Sequence, residues 1–224
     1  VLGFGMGNYR DDMAETIADK GNGNYAYIDD LTEAKKVLVN EFGGTLFTVA
    51  KDVKLQVEFN PKYVKAYRLI GYENRMLAKE DFTNDKKDAG EIGAGHTVTA
   101  LYELVPAKGA TTDGLRYQKQ VEKGFANELA FLKIRYKDPV VKDAKSVEES
   151  TPIPFTLTEF AKTDDDYRFA SAVAEWGMLL RNSKYKAKSS FSQVLDLAKN
   201  AIGKDEEGYR KEFIRLVEVS EKLK

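Results

Sequence analysis

The strongest indication of the fold class comes from residues 1–30, VLGFGMGNYRDDMAETIADKGNGNYAYIDD. Apolar runs at Val1–Phe4 and Tyr25–Ile28 predict two short strands, and the residues between them predict a helix from Tyr9 to Lys20. A second helix is predicted over Leu31–Phe42. The order strand, helix, strand, helix is typical of a parallel α/β sheet. Because parallel strands are normally buried on both faces, two of them do not make a stable sheet. We therefore expect this segment to be the last part of an α/β domain whose beginning is missing.

The composition indicates a chain with one large domain or two small ones. Of the 224 residues, 42% are hydrophobic and 32% are charged. The 35 basic and 36 acidic residues are interspersed, and the net charge is −1. This balance argues against nucleic acid as a partner, because phosphate binding needs a concentrated basic face. No apolar run reaches the ~18 residues of a membrane span. The absence of cysteine excludes disulfides, thiolate chemistry and cysteine-based zinc sites.

After Gly43–Gly44 the apolar residues change from helical spacing to alternation. The alternation of apolar and polar residues predicts a strand with one face on a core and the other in water. The inward set is Val53, Leu55, Val57 and Phe59, and the outward set is Lys54, Gln56, Glu58 and Asn60. Asn60 and Pro61 end this strand, because proline cannot donate to a sheet. A second strand is predicted over Val64–Tyr72, and the short turn between the two predicts a hairpin.

Three more strands are predicted further along the chain, at His96–Val105, Leu129–Tyr136 and Ile153–Thr158. The segments between the predicted strands are expected to be loops, namely Ala78–Gly95, Pro106–Gly124 and Asp138–Pro152. Several antiparallel strands with connections of this kind predict a β-sandwich or a strongly curved sheet.

The last third of the chain is predicted to form three helices. Acidic residues favour a helix N-terminus, and Asp164–Asp166 precede an apolar stripe of Phe169, Val173, Trp176 and Leu180. Ser189 or Ser190 is expected to cap the next helix, whose stripe is Phe191, Val194, Leu195, Ala198 and Ile202. Gly203 ends it. Asp205 is expected to start the last helix, with an inward stripe of Tyr209, Phe213, Leu216, Val217 and Leu223. Short connections predict antiparallel packing of the three helices.

Five segments resemble bacterial von Willebrand factor type A (vWA) proteins of the YfbK-like group, which append a C-terminal domain of uncharacterised function. They are LGFGMGN at Leu2–Asn8, ADKGNGNYAYID at Ala18–Asp29, AKDVKLQVEFNP at Ala50–Pro61, YRLIGYENR at Tyr67–Arg75 and DAGEIGAGHTVTALYE at Asp88–Glu103. The resemblance implies an α+β chain in three parts: a vWA remnant over 1–43, an antiparallel β-rich domain over 44–160 and a helical segment over 161–224. It also implies a location in the bacterial cell envelope, with the cytoplasm as the alternative.

The resemblance implies that the metal site of the vWA domain lies outside this chain. Such a domain holds a divalent cation such as Mg²⁺ through a DxSxS motif after its first strand, and this sequence contains no such motif. We therefore expect no metal ligand and no cofactor here. Asp11, Asp12 and Asp29 are ligands by type only, and positions at a helix start or in a turn explain them better.

Candidate chemistry centres on His96, the only histidine, which follows Asp88 and Glu91 in a glycine-rich stretch. A histidine beside carboxylates can act as an acid–base pair, but no serine or cysteine nucleophile motif accompanies it. A structural His96 that hydrogen-bonds the loop is the competing interpretation. The glycines of GFGMGN at Gly3–Asn8 match neither the dinucleotide nor the P-loop spacing.

Two functional hypotheses follow. The first is a non-catalytic protein-interaction or scaffold module of a vWA protein, with an unidentified protein partner. The alternative is an enzyme of unknown type with a site around Asp88, Glu91 and His96. In either case, the apolar side chains of the first segment (Val1, Leu2, Phe4, Tyr25, Tyr27 and Ile28) are expected to pack onto the β-rich domain or to pair with a second copy as a homodimer.

Overall fold

The computed structural model of this chain describes residues 1–5, 9–21, 23–72, 75–107, 125 and 127–223. The chain divides into two units. The first contains the described residues within 1–60, 76–98 and 121–154, and the second contains those within 61–75, 99–120 and 155–224. Each unit is described by itself below.

The first unit begins with a small parallel α/β arrangement. Strand β1 (Leu2–Phe4) lies parallel to strand β2 (Ala26–Ile28), with helix α1 (Asp11–Lys20) between them in the chain. Ala14 and Ala18 of α1 and Ile28 of β2 are buried. The strand, helix and second strand predicted from the sequence are confirmed.

The single helix predicted over Leu31–Phe42 is instead three short pieces. Helix α2 (Leu31–Lys35) is followed by a π-helical turn (Lys36–Asn40) and then by α3 (Phe42–Leu46). The Asp30 side chain caps α2 by accepting a hydrogen bond from Glu33 N at 2.9 Å. The π-helical turn contains Val37 and Val39, and α3 contains Gly43 and Gly44; valine and glycine have lower helix propensity than alanine, lysine or glutamate.

A four-stranded antiparallel sheet forms the rest of the first unit, in the order β5-β3-β7-β8. Its strands are β3 (Thr48–Phe59), β5 (Gly90–Gly93), β7 (Glu128–Lys137) and β8 (Val147–Pro154). The described part of the second unit contains a two-stranded antiparallel ribbon of β4 (Val64–Ile70) and β6 (Leu101–Pro106).

The predicted hairpin between β3 and β4 is wrong, because β3 pairs with β5 and β7 instead. Asn60, expected to form the hairpin turn, joins β3 to the start of β7. Its backbone N–H donates to Leu129 O at 2.9 Å, and its side-chain amide donates to Glu128 O at 2.7 Å and Phe125 O at 3.1 Å. These bonds hold the end of β3 against β7, a long-range partner that local turn signals do not reveal.

Four other predicted segments in the β region differ from the structure. The strand predicted at His96–Val105 begins only at Leu101. The segments predicted as loops at Ala78–Gly95 and Asp138–Pro152 contain β5 and most of β8, and the strand predicted at Ile153–Thr158 ends at Pro154. Strand β8 is an edge strand with mostly exposed side chains, so it lacks the apolar alternation of a half-buried strand. The loop predicted over Pro106–Gly124 lies almost entirely outside the described residues.

Three helices of the second unit enclose its core. They are α4 (Asp165–Leu180), α5 (Phe191–Lys199) and α6 (Tyr209–Lys222). The buried cluster is Ala172, Leu179, Phe191, Val194, Leu195, Ala198, Ile214 and Val217, with Phe169, Trp176, Leu197, Ile202 and Phe213 packed against it. The apolar stripe predicted for α5 therefore lies in this core.

The predicted inward stripes of α4 and α6 are only partly correct. In α4, Val173 and Leu180 are exposed, and Ala172 and Leu179 take their places. In α6, Leu216 and Leu223 are exposed and Ile214 is buried. Positions three and four residues apart lie on nearly the same helix face, so the spacing of apolar residues does not decide which of them are buried. Packing against the neighbouring helices decides it.

The caps of these helices follow the sequence closely. Asp164 accepts from Tyr167 N at 2.7 Å, and Ser190 accepts from Gln193 N at 3.1 Å. Asp205 lies before α6 rather than at its first residue, and its carboxylate accepts from the backbone N–H groups of Arg210 and Lys211 at 3.0 and 2.9 Å. Such bonds satisfy N–H groups that a helix leaves without internal partners.

The coarse fold class is thus confirmed as mixed α and β, with antiparallel sheets and several helices. The boundaries at residues 43 and 160 and the sandwich arrangement stay predictions. Within the described part of the chain, we find no helix with both the length and the hydropathy that crossing a bilayer requires.

Candidate functional site

The most concentrated group of interacting charged residues in the described part of the first unit lies where a loop packs on the sheet. Lys54 of β3 and Arg135 of β7 are direct cross-strand partners, so their side chains share one face. Residues 79–89 cover this face: Phe82 is 4% exposed, and the Arg135 guanidinium lies 5.9 Å from the Phe82 ring centre. We call the group the Asp85 cluster; it comprises Asp52, Lys54, Asp85, Arg135, Lys137, Ser146 and Glu148.

Lys54 is the clearest departure from the predicted strand pattern. The alternation places it in water, whereas its side chain is buried and Leu55 is 55% exposed. The covering loop explains the reversal, because the Lys54 ammonium donates to the backbone carbonyl of Asn84 at 2.5 Å. A buried lysine is tolerated only when its charge is hydrogen-bonded.

Asp85 lies at the centre of the cluster. Its carboxylate accepts from Ser146 Oγ at 2.6 Å and from the Arg135 guanidinium at 2.9 Å, and its backbone carbonyl accepts from Lys137 Nζ at 2.7 Å. The hydrogen bond from Ser146, followed by that from Arg135, lowers the pKa of Asp85 to about 2. Asp85 therefore connects the covering loop to β7 and to the residue before β8.

Asp52 ties the other end of the loop to the sheet. It lies in a bulge of β3, where the register with β7 shifts between Lys51 and Lys54 and the backbone φ of Asp52 is +51°. Its carboxylate accepts from Ala89 N at 3.2 Å and lies 2.7 Å from Lys137 Nζ. Burial acts to raise the pKa of Asp52, but the bonds from Lys137 and Ala89 outweigh it and the pKa is lowered.

The cations of β7 take part in the same network. The hydrogen bond to Asp52 raises the pKa of Lys137. The Arg135 guanidinium forms ion pairs with Asp85 and with Glu148, and its distance to the Glu148 carboxylate is 3.5 Å. The Lys133 ammonium lies 3.6 Å from the Glu148 carboxylate. Arg135 Nε is buried, with no partner among the described residues, so the guanidinium is only partly satisfied.

The pKa shifts at three residues of the cluster favour their charged forms. Asp52 and Asp85 have lowered pKa values and Lys137 has a raised one, whereas efficient proton transfer needs a pKa near the working pH. Ser146 donates to a carboxylate whose pKa of about 2 makes it a weak base. The arrangement therefore fixes the loop onto the sheet.

Sequence reasoning did not find this cluster, because its members are spread from residue 52 to residue 148. One local signal was present: Lys133 and Arg135 alternate in the strand predicted over Leu129–Tyr136, and Lys137 follows it. The face of β3 that carries Lys54 was assigned to water, and only the covering loop makes that face an interior one.

The structure does not assemble the predicted acid–base group. Asp88 is instead one of the groups that act on the pKa of Asp52. Glu91 lies in β5, and His96 is exposed in the turn after it, where its backbone N–H donates to Gly93 O at 3.1 Å. Over the described ranges, no hydrogen bond or ion pair joins the His96 side chain to Asp88 or Glu91, nor does the imidazole hydrogen-bond the loop as the structural interpretation expected.

The three aspartates considered as ligands by type lie in two different segments of the chain. Asp11 and Asp12 lie in the first turn of α1, as the helix-start interpretation predicts, and Asp29 follows β2. The hydrogen bond from Arg10 lowers the pKa of Asp12 to about 2. In the part of the chain that the structure describes, no three histidine, aspartate or glutamate residues are close enough to hold a metal ion; the absence of a metal site stays a prediction.

The described residues form an α+β protein in which the Asp85 cluster joins a loop to the sheet, and comparison with known proteins gives its family. Residues 44–223 match the family model described as "Uncharacterized protein YfbK, C-terminal". The chain is 48% identical over 225 residues to the uncharacterized protein YfbK of Escherichia coli (strain K12), a match that covers 99% of this chain and 38% of the relative. The chain therefore belongs to the YfbK C-terminal family. No solved structure matches it.

This membership confirms the YfbK-like part of the resemblance found in the sequence. The chain spans about 38% of the length of the curated relative that it matches. Residues 1–43 precede the region that the family model covers, and the relative is similar to them as well, because its match covers nearly the whole chain.

Proposed function

We propose that this chain is a non-catalytic scaffold module of a bacterial cell-envelope protein, and that residues 1–43 are the last part of a vWA-type α/β domain. In this proposal, the four-stranded sheet and the helical core support the α/β domain, which engages a protein partner through a divalent cation held elsewhere in the longer protein. The resemblance of the segments at Leu2–Asn8 and Ala18–Asp29 to vWA proteins supports this, as does their order of strand, helix and strand.

The observation that supports the proposal most directly is the incomplete parallel sheet. Among the strands of the described residues, β1 and β2 pair only with each other, although parallel strands are normally buried on both faces. Large apolar side chains remain exposed around them and on α1 and the helices that follow: Val1, Leu2, Phe4, Met13, Ile17, Leu31, Leu38, Val39, Phe42, Leu46 and Phe47. An apolar surface of this extent is typical of an interaction site.

The expected burial of this segment is therefore only partly met. Ile28 is buried, whereas Val1, Leu2 and Phe4 remain exposed within the single chain. Their exposure leaves packing onto the β-rich domain, the first of the two expectations, as a prediction. The other expectation is that residues from outside this chain cover these side chains, and it is part of the proposal.

We assign this cover to the part of the longer protein that precedes the family region. The relative from Escherichia coli extends well beyond the match, and the family model is a model of the C-terminal part of YfbK. Further parallel strands beside β1 or β2 would bury Leu2 and Phe4 and satisfy the open edges, since unpaired strand edges otherwise favour association.

Hydrogen exchange can test the proposal on the Escherichia coli relative. Amide exchange would be compared between whole YfbK and its fragment matching this chain. We expect slower exchange in the whole protein at the counterparts of β1, β2 and α1, because neighbouring strands and helices would cover them. The counterparts of Val194 and Val217, in the helical core, are the internal control and should exchange alike in both proteins.

Two results would contradict the proposal. Equal exchange at the counterparts of β1 and β2 in both proteins would show that the longer protein does not cover them. A dimer of whole YfbK whose protection at β1 and β2 disappears on dilution would assign the surface to a second copy. For this chain alone we expect a homodimer by light scattering, weakened by Phe4→Ser at the exposed edge, because the same surface is then uncovered.

A further inference from the structure

The second unit also carries a distinctive surface, in addition to the exposed apolar surface of the first unit. The loop between α4 and α5, residues 181–190, reads RNSKYKAKSS and contains four basic and no acidic residues. We call it the basic loop. The charge is conspicuous because the whole chain has a net charge of −1.

Three of its four cations have no carboxylate partner. Lys184, Lys186 and Lys188 form no ion pair with any residue that the structure describes. Lys186 donates to the neutral Asn182 Oδ1 at 2.6 Å, and the Lys184 ammonium lies 4.9 Å from the Tyr185 ring centre. The nearby Glu103 carboxylate is already bound by Arg68 at 3.0 Å. The positive charge of the three lysines is therefore available to a partner.

The basic loop has a defined shape. Successive turns are closed by bonds from Ser183 N to Met178 O at 2.9 Å, from Lys186 N to Ser183 O at 3.1 Å and from Ser189 N to Lys186 O at 2.9 Å. Two non-glycine residues, Asn182 and Ala187, have left-handed backbone with φ of +49° and +47°. Such conformations persist where the surroundings enforce them, and they concentrate at functional sites.

An aromatic contact fixes the loop to the β4–β6 ribbon of its own unit. The Arg68 guanidinium of β4 lies 4.1 Å from the Tyr185 ring centre and 3.8 Å from Met178 Sδ. With one side of the ring in contact with Arg68, Tyr185 still has 47% of its surface exposed, and Leu180 at the end of α4 has 54%. Apolar side chains are therefore exposed next to the lysines.

We propose that the basic loop is a docking surface for the anionic phospholipid headgroups of a bilayer, with Tyr185 and Leu180 entering the interface between headgroups and acyl chains. Peripheral binding of this kind combines attraction of lysine to anionic lipid with burial of a small apolar area. Tyrosine favours the membrane–water interface because its ring is apolar and its hydroxyl is polar.

Two observations favour lipid over other anionic partners. All three free cations are lysines, which are depleted at protein–protein interfaces, where arginine is enriched. The chain has nearly equal numbers of basic and acidic residues, whereas nucleic-acid binding proteins carry an extended basic face. Lipid headgroups need only a local cluster of cations within a Debye length of the surface.

Vesicle co-sedimentation of the whole chain tests the proposal. The chain would be mixed with vesicles of phosphatidylglycerol and phosphatidylcholine in equal parts, and with vesicles of phosphatidylcholine alone. We expect binding to the first kind only, weakened by added salt. Replacing Lys184, Lys186 and Lys188 with glutamine should weaken binding about fivefold per lysine and on the order of a hundredfold together, since each lysine near an anionic surface contributes ~1 kcal/mol.

A matched control removes the same charge elsewhere. Lys20, Lys142 and Lys145 are exposed, lie in the other unit and form no ion pair with described residues. Glutamine at these three positions should leave vesicle binding within twofold of the unchanged chain. Equal thermal unfolding of both triple variants would show that each is folded.

A second variant tests the apolar part of the contact. Leu180→Ser removes an exposed side chain without touching the lysines, and it should weaken binding to the anionic vesicles severalfold. Absence of binding by the unchanged chain, or an equal loss in the control triple variant, would overturn the proposal. So would tighter binding of the basic loop to soluble polyglutamate than to vesicles, because this result would assign the surface to an acidic protein.

Discussion

The ammonium group of Lys137 lies 2.7 Å from the carboxylate of Asp52, so the end of β7 is tied to the bulge in β3. Asp52 also accepts the backbone N–H of Ala89. This single carboxylate therefore joins two strands and the end of the covering loop. Removal of the carboxylate, or of the Lys137 ammonium that pairs with it, should affect both strands and the loop.

Lys137→Met should destabilise the chain by about 1.5–3 kcal/mol, the usual contribution of a hydrogen bond to a charged group. The methionine keeps much of the side-chain volume but leaves the half-buried Asp52 carboxylate without its cation. Urea unfolding measures the change. Lys142→Met, at an exposed lysine in the loop before β8, is the control and should stay within about 0.5 kcal/mol of the unchanged chain. An equal effect of both substitutions would contradict the role of the Asp52 contact.

Acid stability should depend on Asp85. Its pKa of about 2 in the folded chain lies below the ordinary aspartate value of about 3.9. A lowered pKa stabilises the fold above the unfolded value, and this contribution is lost as the pH falls towards the folded value. Asp85→Asn should therefore lower the urea midpoint at pH 7 and flatten its decline between about pH 4 and pH 2.

The control for the pH experiment is Asp29→Asn. Asp29 is exposed, and no hydrogen bond or ion pair of its side chain is found with the described residues. This variant should follow the pH profile of the unchanged chain. If Asp85→Asn also follows it, the bonds from Ser146 and Arg135 do not contribute to acid stability.

Gly93→Ala should disrupt the contact between α3 and β5. A Cβ atom at position 93 would lie 1.5 Å from the backbone oxygen of Gly44, so one of the two backbone segments must move. We expect a loss of about 1–3 kcal/mol, as for other overpacked sites, measured by thermal or urea unfolding. Gly90→Ala in the same strand is the matched control, because nothing lies within 4 Å of its added Cβ atom. Equal stability of the two variants would show that Gly44 and Gly93 are not in close contact.

Val217→Ala should create a cavity in the helical core. Val217 is fully buried among the residues of α4, α5 and α6, and loss of its two methyl groups should cost about 2 kcal/mol. Val219→Ala is the control on the same helix, because Val219 is 42% exposed. The urea midpoint should fall for the first variant and change little for the second; the reverse order would place the core on the other face of α6.

His96→Ala tests whether the His96 side chain stabilises the fold or is an exposed group without a structural role. The side chain is exposed and has no hydrogen-bond partner in the described ranges, so we expect a change in unfolding free energy within about 0.5 kcal/mol. A clear loss of stability would revive the interpretation in which the imidazole hydrogen-bonds the loop. Differential scanning calorimetry at pH 7 is sufficient to measure it.

The sequence predicted the local structure well where the signals lie within a few residues. The caps at Asp164 and Ser190 and the stripe of α5 were predicted from hydroxyl, carboxylate and apolar residues at helical spacing. The parallel arrangement of β1, α1 and β2 followed from alternating apolar and helical segments. These features depend on backbone preference and on contacts one turn away.

These local signals did not predict which strands pair with each other. β3 was predicted to turn back onto β4, yet Asn60 binds the start of β7, almost seventy residues further along the chain. Local turn residues favour a hairpin, but the choice of partner depends on side chains from distant segments that meet only after folding. Strand β8 was missed for a related reason: its exposed side chains lack an alternating pattern, and it is a strand because β7 offers it a free edge.

The sequence by itself determined where most of the helices and several strands form, the balance of charge, and membership of the YfbK C-terminal family, because local propensity and similarity are properties of the order of residues. Only the tertiary structure decided that Lys54 is buried while Leu55 is exposed. A period of two assigns alternate residues to opposite faces but does not say which face is covered. That depends on the bulge at Asp52 and on a loop fixed by Asp85, and neither contact exists until the chain is folded.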